Sequence, residues 1–154
     1  MQLQLPRAHR LARINYPIRS WSFAFSFLVV VVILAERGFS AGTLVFGVVT
    51  LLIYPQLAYL HARRAIHSKR AEFRNLIFDS VLMGLWAAQL HFALWPVCGG
   101  LAGVSMNNAV CGGIERFLSG LLCFVAAAFL WAVVQGVPFE PSTGPIVTGL
   151  CFFA

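Results

Sequence analysis

The chain has 154 residues, of which 60% are hydrophobic and only 10% are charged. A water-soluble domain carries about 25% charged residues, so this composition excludes an ordinary soluble domain and indicates a protein of the lipid bilayer. At about 20 residues per span, the length allows five or six membrane-crossing helices. The net charge of +6 is concentrated in a few segments, which argues against a nucleic-acid-binding surface.

The N-terminal segment is basic and amphipathic. We assign residues 1–17 to it, and its arginines (Arg7, Arg10, Arg13, with Arg19 just beyond) recur near helical spacing among apolar side chains. We expect this segment to lie on the cytoplasmic membrane surface, where arginine side chains meet anionic lipid headgroups.

Six apolar runs follow, at about 18–35, 41–60, 75–94, 97–113, 117–134 and 146–154. Pro55 predicts a kink near the end of the second run. Trp95 and Pro96 are expected to end the third, and Glu115 and Arg116 to form the turn between the fourth and fifth. The last run is too short to cross a bilayer, so we expect the chain to be cut inside its sixth span. The predicted fold is an all-α, polytopic transmembrane helical bundle over residues 18–154.

The positive charges predict the orientation. A cytoplasmic N-terminus places every one of the 11 lysine and arginine residues except Arg37 on the cytoplasmic side. That satisfies the positive-inside rule, and the opposite orientation violates it. The largest contribution comes from a basic loop between the second and third runs, which contains Arg63, Arg64, Lys69, Arg70 and Arg74.

Asp79 lies inside the third apolar run, where an acid is costly and requires a reason. Asn75 precedes it by one helical turn and shares its face. We interpret Asp79 as a packing residue that accepts a hydrogen bond from Asn75 or pairs with Arg74 or Arg116. The alternative is an ion or proton relay, for which no partner acid or histidine lies along the same face.

Small residues recur at every fourth position of two runs. The third run has Ser80, Gly84 and Ala88, and the fourth has Gly99, Gly103, Asn107 and Cys111. Such stripes allow helices to approach closely in lipid, and amides such as Asn107 and Asn108 need hydrogen-bond partners there. The third and fourth spans are therefore expected to pack inside the bundle or at a dimer interface.

The sequence contains no recognisable catalytic motif, and we predict no catalytic residue, metal or cofactor. The four cysteines form no CxxC pair and are interpreted as lipid-facing or helix-facing thiols. His91 is interpreted as a histidine that bonds a neighbouring helix, with an outer pocket or cofactor site as the alternative. A b-type haem would need paired intramembrane histidines, and this chain offers one.

The third run carries a family resemblance. Its pattern resembles the signature of the second family of membrane-associated sensor (MASE) domains, in the residues Asn75, Leu76, Asp79, Val81, Leu82, Gly84 and Trp86. Other parts of the chain are similar to that family as well, namely the arginines at 10, 13 and 19, the run 54–58 with Arg64 and Ala65, and the residues Met106, Asn108, Gly112, Gly113, Arg116 and Phe117.

In that family the domain is the N-terminal membrane part of bacterial signalling enzymes. The resemblance implies a sensory and dimerisation domain of the bacterial inner membrane, joined to a cytoplasmic cyclase that works as a dimer. We favour a diguanylate cyclase as the output domain and place a class III adenylate cyclase next. The expected partners are the lipid bilayer, a second copy of the chain and the C-terminal cyclase domain, with no nucleic acid. We take the signalling and packing residues to be Asn75, Asp79, Gly84, Trp86, Asn107 and Asn108.

Two other classes of protein remain as alternatives. A small transporter or channel subunit would place polar residues at several depths along a path and show an inverted repeat between its halves. A redox or haem-binding membrane subunit would need more intramembrane histidines.

Overall fold

A computed structural model describes residues 10–38 and 40–152, and every regular element in these ranges is helical. The elements are α1 (Arg10–Arg37), α2 (Ala41–Gly47), a π-helical segment (Val48–Ile53), α3 (Tyr54–Arg64), α4 (Ser68–Gln89), α5 (Leu94–Gln135) and α6 (Pro145–Phe152). The predicted all-helical class is confirmed. Within the described ranges, three helical stretches are long and apolar enough to cross a membrane, namely Arg10–Arg37, Ala41–Arg64 and Leu94–Gln135.

Helix α1 begins at Arg10 and is continuous with the first apolar run. Its buried face recurs every three or four residues and includes Ala12, Asn15, Arg19 and Phe23. The expectation that Arg19 meets lipid headgroups is wrong, because its position on this face turns the side chain into the protein. The expectation for Arg7 falls outside the described residues.

The second apolar run forms α2, the π-helical segment and α3. Pro55 lacks an N–H group, and its ring clashes with the carbonyl four residues earlier in a regular α-helix. The chain relieves this by widening the preceding turn, since the Tyr54 N–H donates to the Val49 carbonyl, five residues back. The irregularity predicted at Pro55 therefore takes the form of a π-helical segment.

Helix α4 begins at Ser68, before the predicted third span, and ends at Gln89. Its 22 residues extend about 33 Å, which places Asp79 near the middle of the helix. A tight turn follows, in which His91 and Phe92 have positive φ angles of 55° and 60°. Trp95 therefore does not end the third helix but lies in the first turn of α5.

Helix α5 folds back on itself at Gly113, which has φ 71° and ψ −165°. In a straight helix, Asn108 and Gly120 would lie about 18 Å apart along the axis. Instead, a Cβ atom added at Gly120 would be 2.7 Å from Asn108 Nδ2. Helix α5 is thus a hairpin with a first arm (94–112) and a second arm (114–135). The turn between them is Gly113, and Glu115 and Arg116, which were expected to form it, lie in the second arm.

The apolar core lies between α1, the π-helical segment, α4, α5 and α6, and its buried members include Phe23, Leu51, Trp86, Phe124 and Val147. Helix α4 packs most closely on the second arm at one point. A Cβ atom at Gly84 would be 2.3 Å from the carbonyl oxygen of Phe124, so only glycine fits there.

At the end of the bundle away from most arginines, loops are joined by backbone and side-chain hydrogen bonds. Arg37 donates from Nη1 to the Leu90 carbonyl (3.2 Å) and from Nη2 to the Ser142 carbonyl (2.8 Å). The Glu140 N–H donates to the His91 carbonyl at 3.0 Å. We call this region the loop end. The opposite region is the basic end, formed by Arg10, Arg13, Arg63, Arg64, Lys69, Arg70, Arg74 and Arg116.

Candidate functional site

A buried polar network joins α1, α3 and α4 toward the basic end. Helix α1 contributes Asn15 and Arg19, four residues apart, and α4 contributes Glu72, Asn75 and Asp79, at spacings of three and four. These spacings place each set on a single helix face. The two faces are opposed, so five polar side chains meet inside an otherwise apolar bundle.

The centre of the network is one arginine between two acids. Arg19 Nε lies 2.8 Å from Asp79 Oδ2, and Arg19 Nη2 lies 2.7 Å from Glu72 Oε1. Arg19, Glu72 and Asp79 are 2%, 0% and 3% exposed. With both carboxyl groups ionised, the cluster carries one positive and two negative charges. The remaining guanidinium nitrogen, Nη1, is buried and has no hydrogen-bond partner among the residues described.

Neutral donors complete the carboxylate contacts. The Tyr54 hydroxyl donates to Asp79 Oδ1 at 2.8 Å, and Asn15 Nδ2 donates to Glu72 Oε1 at 3.1 Å. Such hydrogen bonds offset part of the cost of removing charge from water. Because Tyr54 is on α3 and Asn15 is on α1, the two acids of α4 are hydrogen-bonded to both neighbouring helices.

Asn75 fastens α4 to α3. Its Nδ2 group donates to the Ala58 carbonyl at 2.8 Å and to Glu72 Oε2 at 3.3 Å, and its Oδ1 lies 3.1 Å from His61 Nδ1. Asn75 was one of the partners considered for Asp79, and it does not donate to it. The amide lies on the same face, as predicted, but the carbonyl and carboxylate beside it engage its donors.

The partner of Asp79 is Arg19, not Arg74 or Arg116. Arg74 is exposed, because five residues of helix turn it away from the face of Asp79. Arg116 lies near the α5 turn with its Cζ atom 4.9 Å from the centre of the Phe73 ring. In the packing interpretation of Asp79, the partner is thus a residue of α1, a helix that the sequence did not indicate.

Four network residues were missed by sequence reasoning, namely Asn15, Arg19, Tyr54 and Glu72. A signal was present for most of them. Polar residues at 72, 75 and 79 make one stripe on α4, and those at 15 and 19 make another on α1. Glu72 was not identified from the sequence because it lies in the basic segment, where an acidic residue is expected at the surface.

Smaller polar contacts lie outside the network. Trp86 Nε1 donates to Thr50 Oγ1 of the π-helical segment at 3.0 Å. Asn108 Nδ2 donates to Ser80 Oγ at 3.1 Å, which joins the first arm of α5 to α4. The half-buried Asn107 accepts a long contact from the Cys111 thiol, 3.4 Å away. Of the predicted packing residues, only Asn75 and Asp79 thus belong to the buried network.

The small-residue stripes have different surroundings. Gly84 packs on the second arm of α5, whereas a Cβ atom at Gly99 or Gly103 would have open space around it. The two glycines of the fourth-run stripe therefore make no close helix contact within the described part of the chain, whereas Cys111 at its end contacts Asn15 of α1.

The arginine and lysine residues between the second and third runs are all exposed, and none of them is in the connecting loop. Arg63 and Arg64 end α3, Lys69, Arg70 and Arg74 lie in the first two turns of α4, and only residues 65–67 connect the helices. The predicted basic loop is therefore a short turn between two helix ends, and the exposed positive charges lie on those helix ends.

His91 lies outside the network, in the turn after α4. Its Nδ1 atom is 3.6 Å from Glu140 Oε2 at the loop end. Among the described residues, no group of three or more histidine, cysteine or acidic side chains could hold a metal ion.

These features define a membrane-associated helical domain whose helices are joined by a buried ionic cluster. The model of the MASE2 domain family matches residues 14–102, which is more than half of the chain, and the chain therefore belongs to this family. The match contains α1 from residue 14 onward, α3 and α4, and with them the whole ionic cluster. The resemblance seen in the sequence is confirmed.

The chain is also similar to two curated bacterial proteins. It is 27% identical over 94 residues to the probable diguanylate cyclase DgcC of Escherichia coli (strain K12), and the same figures hold for DgcC of Escherichia coli O6:H1 (strain CFT073). The match covers 61% of this chain and 25% of each relative, so it spans about a quarter of their length. No solved structure matches the chain significantly.

Proposed function

We propose that this domain is the membrane-embedded sensory part of a bacterial signalling protein and regulates a cytoplasmic nucleotide cyclase. Membership of the MASE2 family and the similarity to a probable diguanylate cyclase support this function. A diguanylate cyclase is the favoured output and a class III adenylate cyclase the next. In this proposal the domain performs no catalysis itself.

The observation that carries the proposal is the Arg19–Glu72–Asp79 cluster. A sensor needs an element with two arrangements that a stimulus biases differently. The cluster holds α1 and α4 together through charges removed from solvent, so a small change in helix packing alters a strong interaction. Tyr54 adds α3 to the same unit.

We further propose that the domain is a homodimer in the bacterial inner membrane, with six spans and a cytoplasmic N-terminus. The basic end faces the cytoplasm in this arrangement, in agreement with the positive-inside rule. A dimer suits the regulation of a cyclase that works as a pair. Chemical crosslinking of the intact protein in native membranes tests the dimer, and an exclusively monomeric product would contradict it.

The test of the regulatory function uses Asp79→Asn in the full-length protein that bears the domain. This change keeps the side-chain shape and removes one charge from the cluster. We expect the cellular level of cyclic dinucleotide to change about five-fold or more at equal protein level. This corresponds to a typical coupling free energy of about 1–3 kcal/mol between a regulatory site and an output domain.

Glu140→Gln is the matched control, because it also neutralises an acid but lies exposed at the loop end. It should leave the output unchanged. An Asp79→Asn protein that inserts normally and keeps the wild-type output would refute a regulatory role of the cluster.

A further inference from the structure

The buried cluster has an unbalanced charge count. Arg19 supplies one positive charge, and Glu72 and Asp79 supply two negative charges when both are ionised. All three residues are at most 3% exposed. A net negative charge in such surroundings is costly, and the usual remedy in proteins is to neutralise one group by a proton. The structure indicates which carboxyl group takes it.

Glu72 is surrounded by donors. Its Oε1 atom accepts from Arg19 Nη2 and Asn15 Nδ2, and its Oε2 atom accepts from Asn75 Nδ2. The orientation of the Asn75 amide is fixed, because its Nδ2 group also faces the Ala58 carbonyl, which can only accept. A proton on Glu72 Oε2 would point at an N–H group. Glu72 therefore suits the ionised form.

Asp79 has a different neighbour. Its Oδ2 atom accepts from Arg19 Nε, but its Oδ1 atom faces the Tyr54 hydroxyl, which can donate or accept. The same hydroxyl lies 3.3 Å from the backbone carbonyl oxygen of Asn75. Tyr54 can therefore donate to Asp79, or accept from a protonated Asp79 and donate to the Asn75 carbonyl instead. Both arrangements fit the same heavy-atom positions.

We propose that Asp79 and Tyr54 form a proton-binding site, in which Asp79 takes up one proton on Oδ1 and the Tyr54 hydroxyl turns to the Asn75 carbonyl. No covalent bond to carbon changes, and the proton comes from water and returns to it. Uptake brings the cluster to one positive and one negative charge. The contact between Arg19 and Asp79 then changes from an ion pair to a hydrogen bond with a neutral acid.

The loss of this ion pair weakens the attachment of α1 to α4, while the pair between Arg19 and Glu72 remains. Other titratable groups around the site are His61 on α3, which contacts Asn75, and Cys111 on α5, which contacts Asn15. Neither contacts Asp79, whose side-chain partners in the described part of the chain are Arg19 and Tyr54. The use of the proton as a signal rests on the proposed sensory function, whereas the binding of the proton does not.

Infrared difference spectroscopy of the intact protein in detergent tests the site. The carbonyl stretch of a protonated carboxylic acid is separate from the carboxylate bands, and it should rise on acidification of the wild type. We expect the component assigned to the buried acid to be absent from Asp79→Asn. This component should shift in frequency and in titration midpoint in Tyr54→Phe, because that change removes only the hydroxyl that accepts the hydrogen bond from protonated Asp79.

Two controls separate this site from other groups. Glu115→Gln removes an exposed acid at the basic end, and Tyr59→Phe removes the hydroxyl of another α3 tyrosine, which stacks on Tyr16. Neither should affect the component. The proposal is overturned if Asp79→Asn retains every protonated-carboxyl band of the wild type, or if Tyr54→Phe leaves the Asp79 band unmoved. Because the spectrum does not depend on cyclase output, the proton site can stand even where the proposed regulation fails.

Discussion

Arg19 is the residue on which the buried network depends. It is the one charged partner that the described structure gives to either buried acid, and it contacts both. Removing one member of a buried ion pair is costly mainly because it leaves the other charge uncompensated. The effect of a substitution in the cluster should therefore follow the charge that remains.

This gives an order of stabilities for conservative variants. Arg19→Gln leaves two buried carboxylates without a counter-charge and should lower the free energy of unfolding by about 3–5 kcal/mol. Asp79→Asn leaves Arg19 paired with Glu72 and should cost about 1 kcal/mol, the value of an ordinary hydrogen bond. Thermal and denaturant unfolding in one detergent measure both.

Arg13→Gln serves as the control for this series, because Arg13 is exposed on the same helix. It should change stability by less than about 0.5 kcal/mol. If Asp79→Asn proves as damaging as Arg19→Gln, the charge balance of the cluster is not what stabilises it.

At the scale of the helices, the close packing of α4 against the second arm of α5 depends on Gly84. A methyl group there would meet the Phe124 carbonyl oxygen at 2.3 Å, and this backbone atom cannot move aside as a side chain can. We expect Gly84→Ala to lower the free energy of unfolding by about 1–3 kcal/mol, the usual cost of overpacking.

Gly99→Ala is the matched substitution for Gly84→Ala. Gly99 is also a helical glycine of a small-residue stripe, but a Cβ atom there would have no neighbour within 4 Å. It should be neutral or slightly stabilising, since alanine favours the helix. Equal effects of the two substitutions in unfolding experiments would exclude close packing at Gly84 as the cause.

The elements also show how far sequence reasoning extends. The apolar runs predicted the helices, because hydropathy measures which stretches avoid water. Hydropathy carries no information on which face of a helix a residue occupies. It therefore predicts a surface position for Arg19, although the spacing from Ala12 and Asn15 places Arg19 on the buried face. Close packing at Gly84 follows from the sequence, but its partner on α5 depends on a fold-back that the sequence places at Glu115 and Arg116 and that the structure has at Gly113.

For the whole molecule, the decisive question is which side of the membrane each end faces. The turn at residues 65–67 is at the basic end, and Ile66 within it is 93% exposed. The exposed Phe139 is in the segment 136–144 at the loop end. In the proposed arrangement, with six spans and a cytoplasmic N-terminus in the inner membrane, these two positions lie on opposite sides of the membrane.

Reporter fusions check this arrangement. A fluorescent protein that folds only in the cytoplasm should be active when inserted after Ile66 and inactive after Phe139. Alkaline phosphatase, which needs the periplasm, should give the reverse pattern. Activity of the same reporter at both positions would show that the ends are not separated by the membrane.

The charges of α4 have a consequence for how the chain is made. Helix α4 is not among the stretches that are apolar enough to cross a membrane, and it carries both Glu72 and Asp79. Its partner Arg19 lies in α1, which leaves the ribosome first. In the proposed six-span arrangement, the newly made α4 would therefore enter lipid favourably only once α1 is already in the membrane. In this way the order of synthesis along the chain matches the order in which the buried charges can be neutralised.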